Sequence, residues 1–220
     1  MAGAALTLYV DAFWSTPYDF RCLVALVEKG LPFATSRQMI SEGQGLAQSY
    51  KEHSITARVP GLLHGEFWLA ESQAIVEYLE EAFPPPTWPR LMPADLEARA
   101  RARQIMSFLG SDLLVMRRER PSWMIAYPSS PPPLSPPARV EADELLAMAS
   151  TLEAHGDLAE FSIAVADLVY TLLRLSRTGE VLPAPVQAVV EATCARPSVK
   201  AYLEHDRPPN PPVTGRRASI

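Results

Sequence analysis

The sequence predicts a small α/β domain followed by an all-helical bundle. Three observations carry that expectation. The first eighty residues alternate short β-prone runs with helix-like ones; a proline cluster, "FPPPTWPRLMP" at 83–93, interrupts the pattern; and beyond it every apolar run has helical spacing. The order β-α-β-α-β-β-α suits one sheet with helices on its faces. With 220 residues and 48% hydrophobic content, the chain can build a substantial core.

"LTLYV" (6–10) is apolar and β-prone, and gives the first strand. "PYDFRCLVALVEKG" (17–30) follows as a helix, with Pro17 suited to the first helical position and Gly30 to the exit. "PFATSRQMI" (32–40) reads as a second strand and "GLAQSYKEH" (45–53) as a second helix. "PGLLHGEFWLA" (60–70) predicts a hairpin turning at His64-Gly65. "ESQAIVEYLEEAF" (71–83) is an amphipathic helix. Ala74, Ile75, Tyr78, Leu79 and Ala82 share its apolar face, and Glu77, Glu80 and Glu81 face water.

The proline cluster is the expected boundary, giving domains at 1–83 and 95–206, a linker at 84–94 and a flexible tail at 207–220. In the helical half, residues 94–121 read as one long helix bent near Gly110, and 138–156 as a helix closed by Gly156. Residues 162–179 are apolar almost all round, so they form the central helix; 184–194 and 197–205 are two shorter ones. A proline-rich loop at 121–137 separates the first two helices of this half.

The bulk chemistry narrows the classes of function. A net charge of −5 gives no basis for nucleic acid or an anionic membrane as partner, and no apolar stretch is long enough to span a bilayer. The opening "MAGAALTLYVDAF" lacks a basic n-region, so no signal peptide is expected and the expected location is cytoplasmic. Cys22 and Cys194 form neither a CxxC pair nor a Cys/His cluster, so no metal site is expected. Cys22 reads as core packing.

Four stretches, "STPYDFRCLVALVEKGLPF", "RVPGL", "LAESQAIVEYLEEAF" and "RPSVKAYLE", together resemble a glutathione transferase across residues 6–205. "EARARARQIMSFLGSDL" and "PPPTWPR" resemble a bacterial cytosolic branch of that family, of serine/threonine type. The resemblance implies a thioredoxin-like N-terminal domain that binds glutathione as co-substrate. It also implies an all-α C-terminal bundle lining a pocket for a small hydrophobic electrophile or peroxide, and a homodimer. The implied chemistry is activation of the glutathione thiol as thiolate for conjugation, with peroxide reduction beside it. A non-catalytic glutathione-binding protein and a glutathione-dependent isomerase or dehalogenase are the alternatives of the same fold.

The resemblance also assigns residues. Val59-Pro60 would be a cis pair that offers the backbone of Val59 to the cysteinyl part of glutathione. Glu71 and Ser72 open the third helix. Its free N–H groups and positive dipole end suit the γ-glutamyl carboxylate, and Glu71 suits the ammonium. Arg58 stands where the glycine carboxylate is met, with His53 and Gln44 as weaker candidates.

The catalytic hydroxyl falls to Thr16, directly before "PY" at the family's serine position, with Ser15 as the alternative. Lowering a thiol pKa by about two units takes roughly 2.7 kcal/mol. One hydrogen bond to the thiolate supplies about 1.5–3 kcal/mol, and a helix N-terminus adds about 0.3–1 kcal/mol. One hydroxyl is therefore enough. Threonine departs from the pattern, because its methyl restricts χ1. A second departure lies at Ser162, where the third residue onward is Val165 and the acid comes later, at Asp167. Trp123, Met124 and Tyr127 either wall the electrophile pocket or pack on the bundle.

Overall fold

The computed structural model describes residues 5–38 and 48–211, so Gln44 lies outside the described residues. Two compact units emerge: Met1–Leu91 together with Ala201–Ile220, and Met92–Lys200.

The first unit runs β1 (Leu6–Asp11), α1 (Pro17–Glu28), β2 (Phe33–Gln38), α2 (Gln48–His53), β3 (Gly61–His64), β4 (Phe67–Ala70) and α3 (Ser72–Ala82). The sheet order is β2-β1-β3-β4, with β1 parallel to β2 and the other two pairings antiparallel. In β1, buried Leu6, Leu8 and Val10 alternate with partly exposed Thr7 and Tyr9, as a period of two requires. The α1 crossover buries an unbroken run from Asp19 to Leu26, and packs on β1 and α3. This is the expected thioredoxin-like arrangement.

Three expectations within this unit change. The hairpin turns at Gly65-Glu66, one residue later than expected, with Gly65 at a φ of +63°. His64 stays in β3, where its Nδ1 lies 2.7 Å from the Tyr78 hydroxyl. On α3 the buried stripe is Ser72, Ile75, Val76 and Leu79, so Ala74 is exposed and Val76 takes its place. Glu80 does not face open water: it pairs at 2.6 Å with Lys29, whose side chain is fully buried and also donates to the Phe83 carbonyl at 2.8 Å. An amphipathic wheel cannot show this, because the partner lies at the C-terminal cap of α1.

The second unit is all helix: α4 (Leu96–Ser111), α5 (Leu114–Glu119), α6 (Pro136–Ala154), α7 (Ile163–Ser176), α8 (Ala184–Cys194) and the start of α9 (Pro197–Leu203). The α/β domain and the all-α bundle expected from the sequence are both present. α7 is buried from Ile163 to Leu175 and packs against α4, α6 and α8. The Ser162 hydroxyl accepts from the Val165 N–H at 3.4 Å and so caps α7.

The expected single helix over 94–121 is two. The break falls at Asp112-Leu113 rather than Gly110: Leu113 takes a left-handed φ of +61° while buried. The proline-rich loop holds a 3-10 turn, Ser122–Ile125, which buries Ile125 and packs on α7. Buried Arg120 donates to the Pro132 carbonyl at 2.7 Å, and buried Arg174 donates to the Arg120 carbonyl at 2.9 Å, so the loop is pinned by its own carbonyls.

By its contacts, the segment from Ala201 through Pro211 groups with the first unit. Arg207, expected in a loose tail, donates from Nε to the Trp14 carbonyl at 3.1 Å and from Nη1 to the His205 carbonyl at 2.7 Å.

Candidate functional site

The sheet register brings the candidate residues to one end of the first unit. β1 ends at Asp11, β3 begins at Gly61 and β4 ends at Ala70; Tyr9 and Ala70 both pair with Gly61. The loop to Thr16, the Arg58-Val59-Pro60 turn and the Glu71-Ser72 entry to α3 therefore all leave the sheet at the same edge.

Thr16 is the N-cap of α1. Its Oγ1 accepts from the Asp19 N–H at 3.0 Å, and Pro17 occupies the first helical position. The side chain is partly exposed, whereas Ser15 is buried at 5% exposure. The Thr16 carbonyl accepts from the Tyr202 hydroxyl at 2.8 Å, so the returning C-terminal segment fixes this loop.

The Val59-Pro60 bond is cis. Tyr50 of α2 donates its hydroxyl to the Arg58 carbonyl just before it. Gly61 makes room for that tyrosine, since a Cβ there would fall on the Tyr50 ring. Burial pushes the Tyr50 hydroxyl up to about 12. Arg58 itself is exposed and pairs with no acid among the described residues. His53 is also exposed and stacks on Trp68, with ring centroids 5.3 Å apart.

Glu71, not Ser72, occupies the N-cap geometry of α3. It sits at a φ of +71°, a region that costs a non-glycine residue of order 1–3 kcal/mol. Its side chain caps nothing and is exposed, so the first N–H groups of α3 have no side-chain cap. The Ser72 hydroxyl is turned instead to α1, where it accepts from Nη1 of buried Arg21 at 3.0 Å; Cys22 Sγ lies 3.9 Å from the Ser72 carbonyl.

Sequence reasoning missed three residues here. Arg21 is a cation inside an apolar helical run, which is itself a signal. Asp19 is announced by the spacing Thr16-x-x-Asp19, a capping-box pattern whose acid points inward. Asp11 left no signal beyond breaking an apolar strand. Asp11 and Asp19 are both buried: the Asp11 N–H donates to Asp19 Oδ2 at 3.3 Å, and Asp11 Oδ2 accepts from the Phe13 N–H at 3.2 Å.

Desolvation raises the Asp11 carboxyl to about 6 against the lowering effect of the Phe13 and Ala12 N–H groups. A carboxyl whose folded pKa lies above its unfolded value stabilises the fold fully below the unfolded pKa, and loses that stability as pH rises through the folded pKa. For Asp11 the window runs from about 3.8 to about 6, and the loss is about 3 kcal/mol. Asp11→Asn should therefore melt above the parent at neutral pH, with the two curves converging near pH ~4. Melting scans across pH check this, and a pH-independent difference would contradict it.

These parts add up to a partly exposed hydroxyl, an uncapped helix amino end with an exposed carboxylate, and an exposed cation, all at one sheet edge. Such a set suits a zwitterionic ligand that bears carboxylates and a thiol. The class is a thioredoxin-like domain joined to a helical bundle, with its polar site at the N-termini of α1 and α3. The model of the glutathione S-transferase N-terminal domain matches residues 4–81, and that of the C-terminal domain matches residues 95–205. The chain belongs to the glutathione S-transferase family.

It is similar to a glutathione transferase homologue from Burkholderia whose crystal structure has bound glutathione. The identity is 34%, over 91% of this chain and 97% of that one, with a TM-score of 0.73. Maleylpyruvate isomerase of Ralstonia is 32% identical over 108 residues, 49% of this chain and 50% of that protein. Glutathione S-transferase U13 of Arabidopsis thaliana is 35% identical over 101 residues, 44% of this chain and 42% of that protein. The chain thus spans about half the length of the curated relatives it matches. A Tau-class transferase from mango shares the fold at a TM-score of 0.70 with 16% identity.

Proposed function

We propose that this chain binds glutathione at the edge formed by Thr16, Val59-Pro60 and Glu71-Ser72, and stabilises its thiolate for attack on a small hydrophobic electrophile. The observation that carries the reading is the placement of the Thr16 hydroxyl. It is partly exposed at the N-terminus of α1, and its lone pair is already committed to the Asp19 N–H. Its hydrogen remains for an anion, and the helix end adds to the same field. Buried Ser15 is less suited to that task.

The γ-glutamyl carboxylate fits the uncapped amino end of α3. Ser72 accepts from Arg21, which leaves its own hydrogen to donate to that carboxylate. Glu71 supplies the charge for the ammonium, and exposed Arg58 the charge for the glycine carboxylate. No base is needed for the thiol proton, which leaves to solvent once the anion is stabilised.

Titration calorimetry with glutathione, joined to turnover assays over aryl halides, hydroperoxides and a cis-dienoic acid, tests the reading. Binding with conjugating or peroxidase turnover supports it. Binding with no turnover favours a non-catalytic carrier, and no binding overturns it. Likeness to the Ralstonia isomerase gives an isomerase a specific claim. Turnover of the cis-dienoic acid alone would establish that second reading, since both share the same thiolate.

A further inference from the structure

A threonine hydroxyl is aimed by its backbone. The β-branched side chain is stiff at χ1, so Oγ1 points where the main chain carries it. At Thr16 that main chain is the irregular stretch between β1 and α1, and it is strained. Trp14, two residues earlier, holds a φ of +46° while fully buried. Such a conformation persists only where the surroundings over-determine it.

Residues 202–207 supply those surroundings. The Tyr202 hydroxyl donates to the Thr16 carbonyl at 2.8 Å, beside the Phe20 N–H at 3.2 Å. The Tyr202 ring is fully buried and edge-on to both Trp14 and Phe20, with centroids 5.8 and 5.2 Å away. Arg207 Nε donates to the Trp14 carbonyl at 3.1 Å. The rest of its guanidinium closes the segment on itself: Nη2 donates to the Tyr202 carbonyl at 2.5 Å, and Nη1 to the Leu203 and His205 carbonyls at 2.9 and 2.7 Å. The His205 and Trp14 ring centroids lie 4.0 Å apart, and His205 Nε2 accepts from Arg37 of β2 at 3.3 Å. One returning segment thus holds the carbonyls on both sides of Ser15.

We propose that Tyr202 and Arg207 are positioning residues that clamp the Trp14 and Thr16 carbonyls and so hold the Thr16 hydroxyl on the thiolate. They act through Thr16 rather than on glutathione. Without the Tyr202 hydroxyl, the Thr16 carbonyl keeps the Phe20 N–H of its own helix but loses its tie to the distant segment. The strained stretch relaxes, and Oγ1, which cannot correct by changing rotamer, drifts from the sulfur. Arg207 is suited to its part by shape: a planar guanidinium with five donors spans four carbonyls, whereas an ammonium with three does not. The inference deepens the glutathione reading and rests on it.

The test follows three readouts: the pKa of bound glutathione from its thiolate absorbance, kcat and KM for an activated aryl chloride, and affinity for S-methylglutathione, which has no ionisable thiol. Tyr202→Phe keeps the buried ring and removes only the hydroxyl. It should raise the bound thiol's pKa by about half a unit to one unit and lower kcat about threefold to tenfold, with KM for the chloride unchanged. S-methylglutathione should bind as it does to the parent, because Arg58, Glu71 and Ser72 hold its two ends. Arg207→Lys should shift the thiol in the same direction, and carries the test should Tyr202→Phe not fold. In a Thr16→Gly background neither substitution should move the thiol further, because the hydroxyl they aim is gone.

A bound thiol as acidic as the parent's in either variant would overturn the proposal while leaving glutathione binding intact. So would a shift that persists in the Thr16→Gly background, or a loss of S-methylglutathione affinity as large as the loss in kcat, since either means that these residues merely support the fold. Failure of the parent protein to bind glutathione would overturn the functional reading and this proposal with it.

Discussion

Thr16→Ala raises the pKa of glutathione's thiol in the bound complex by about one to two units, whereas Ser15→Ala leaves it unchanged. The size follows from the loss of one hydrogen bond to a charged sulfur, about 1.5–3 kcal/mol, at 1.36 kcal/mol per unit. Below the pKa of the bound thiol the rate follows the thiolate fraction, so kcat/KM falls roughly 10–100-fold. Thr16 also caps α1, and losing the cap costs about 1 kcal/mol of stability. Thr16→Gly separates the two roles, because glycine replaces a cap residue for a few tenths of a kcal/mol but carries no hydroxyl. Thr16→Gly should be nearly as stable as the parent and as poor a catalyst as the alanine variant; Thr16→Ser should restore both. Equal effects from the substitutions at 15 and 16 would remove Thr16 from the mechanism.

The largest loss of stability is expected from Glu80→Ala. Lys29 has no exposed side-chain surface, and its ammonium is held by Glu80 at 2.6 Å and the Phe83 carbonyl at 2.8 Å. Removing the acid strands a buried cation, which costs about 3–5 kcal/mol. For a chain of this size that lowers Tm by roughly 6–20 °C. Lys29→Met removes the charge and keeps the apolar stem, so it should cost far less, and the double variant should recover much of the loss. Thermal melts of the three proteins decide the matter. A Glu80→Ala variant as stable as the parent would show that the pair is solvated and unimportant.

Much of this molecule was legible from residue order. The order of strands and helices in the first half, the span of α8 and the buried character of α7 all follow from periodicity and from proline and glycine positions. The assignments of Thr16, Val59-Pro60 and Glu71-Ser72 came from the family resemblance, carried by short patterns beside the starts of α1, β3 and α3. Other features were hidden for identifiable reasons. Glu80 looks like a solvated acid until α1 brings Lys29 beneath it. Ser72 looks like a cap until Arg21 claims its hydroxyl. Residues 94–120 contain no proline, and the helix nevertheless breaks at Leu113, which is buried at a left-handed φ.

What residue order settled alone was most of the local elements and the family resemblance, because helical and strand periods and short motifs need only neighbours along the chain. Tertiary structure decided which atoms face one another. It placed Asp11 against Asp19, eight positions apart; Lys29 against Phe83, 54 apart; and Tyr202 against Thr16, 186 apart. Such meetings depend on how the sheet and helices stack, and no local period encodes them. They are also what sets the charge on a buried acid or aims a hydroxyl, since desolvation and hydrogen-bond direction exist only once distant segments have closed around a group.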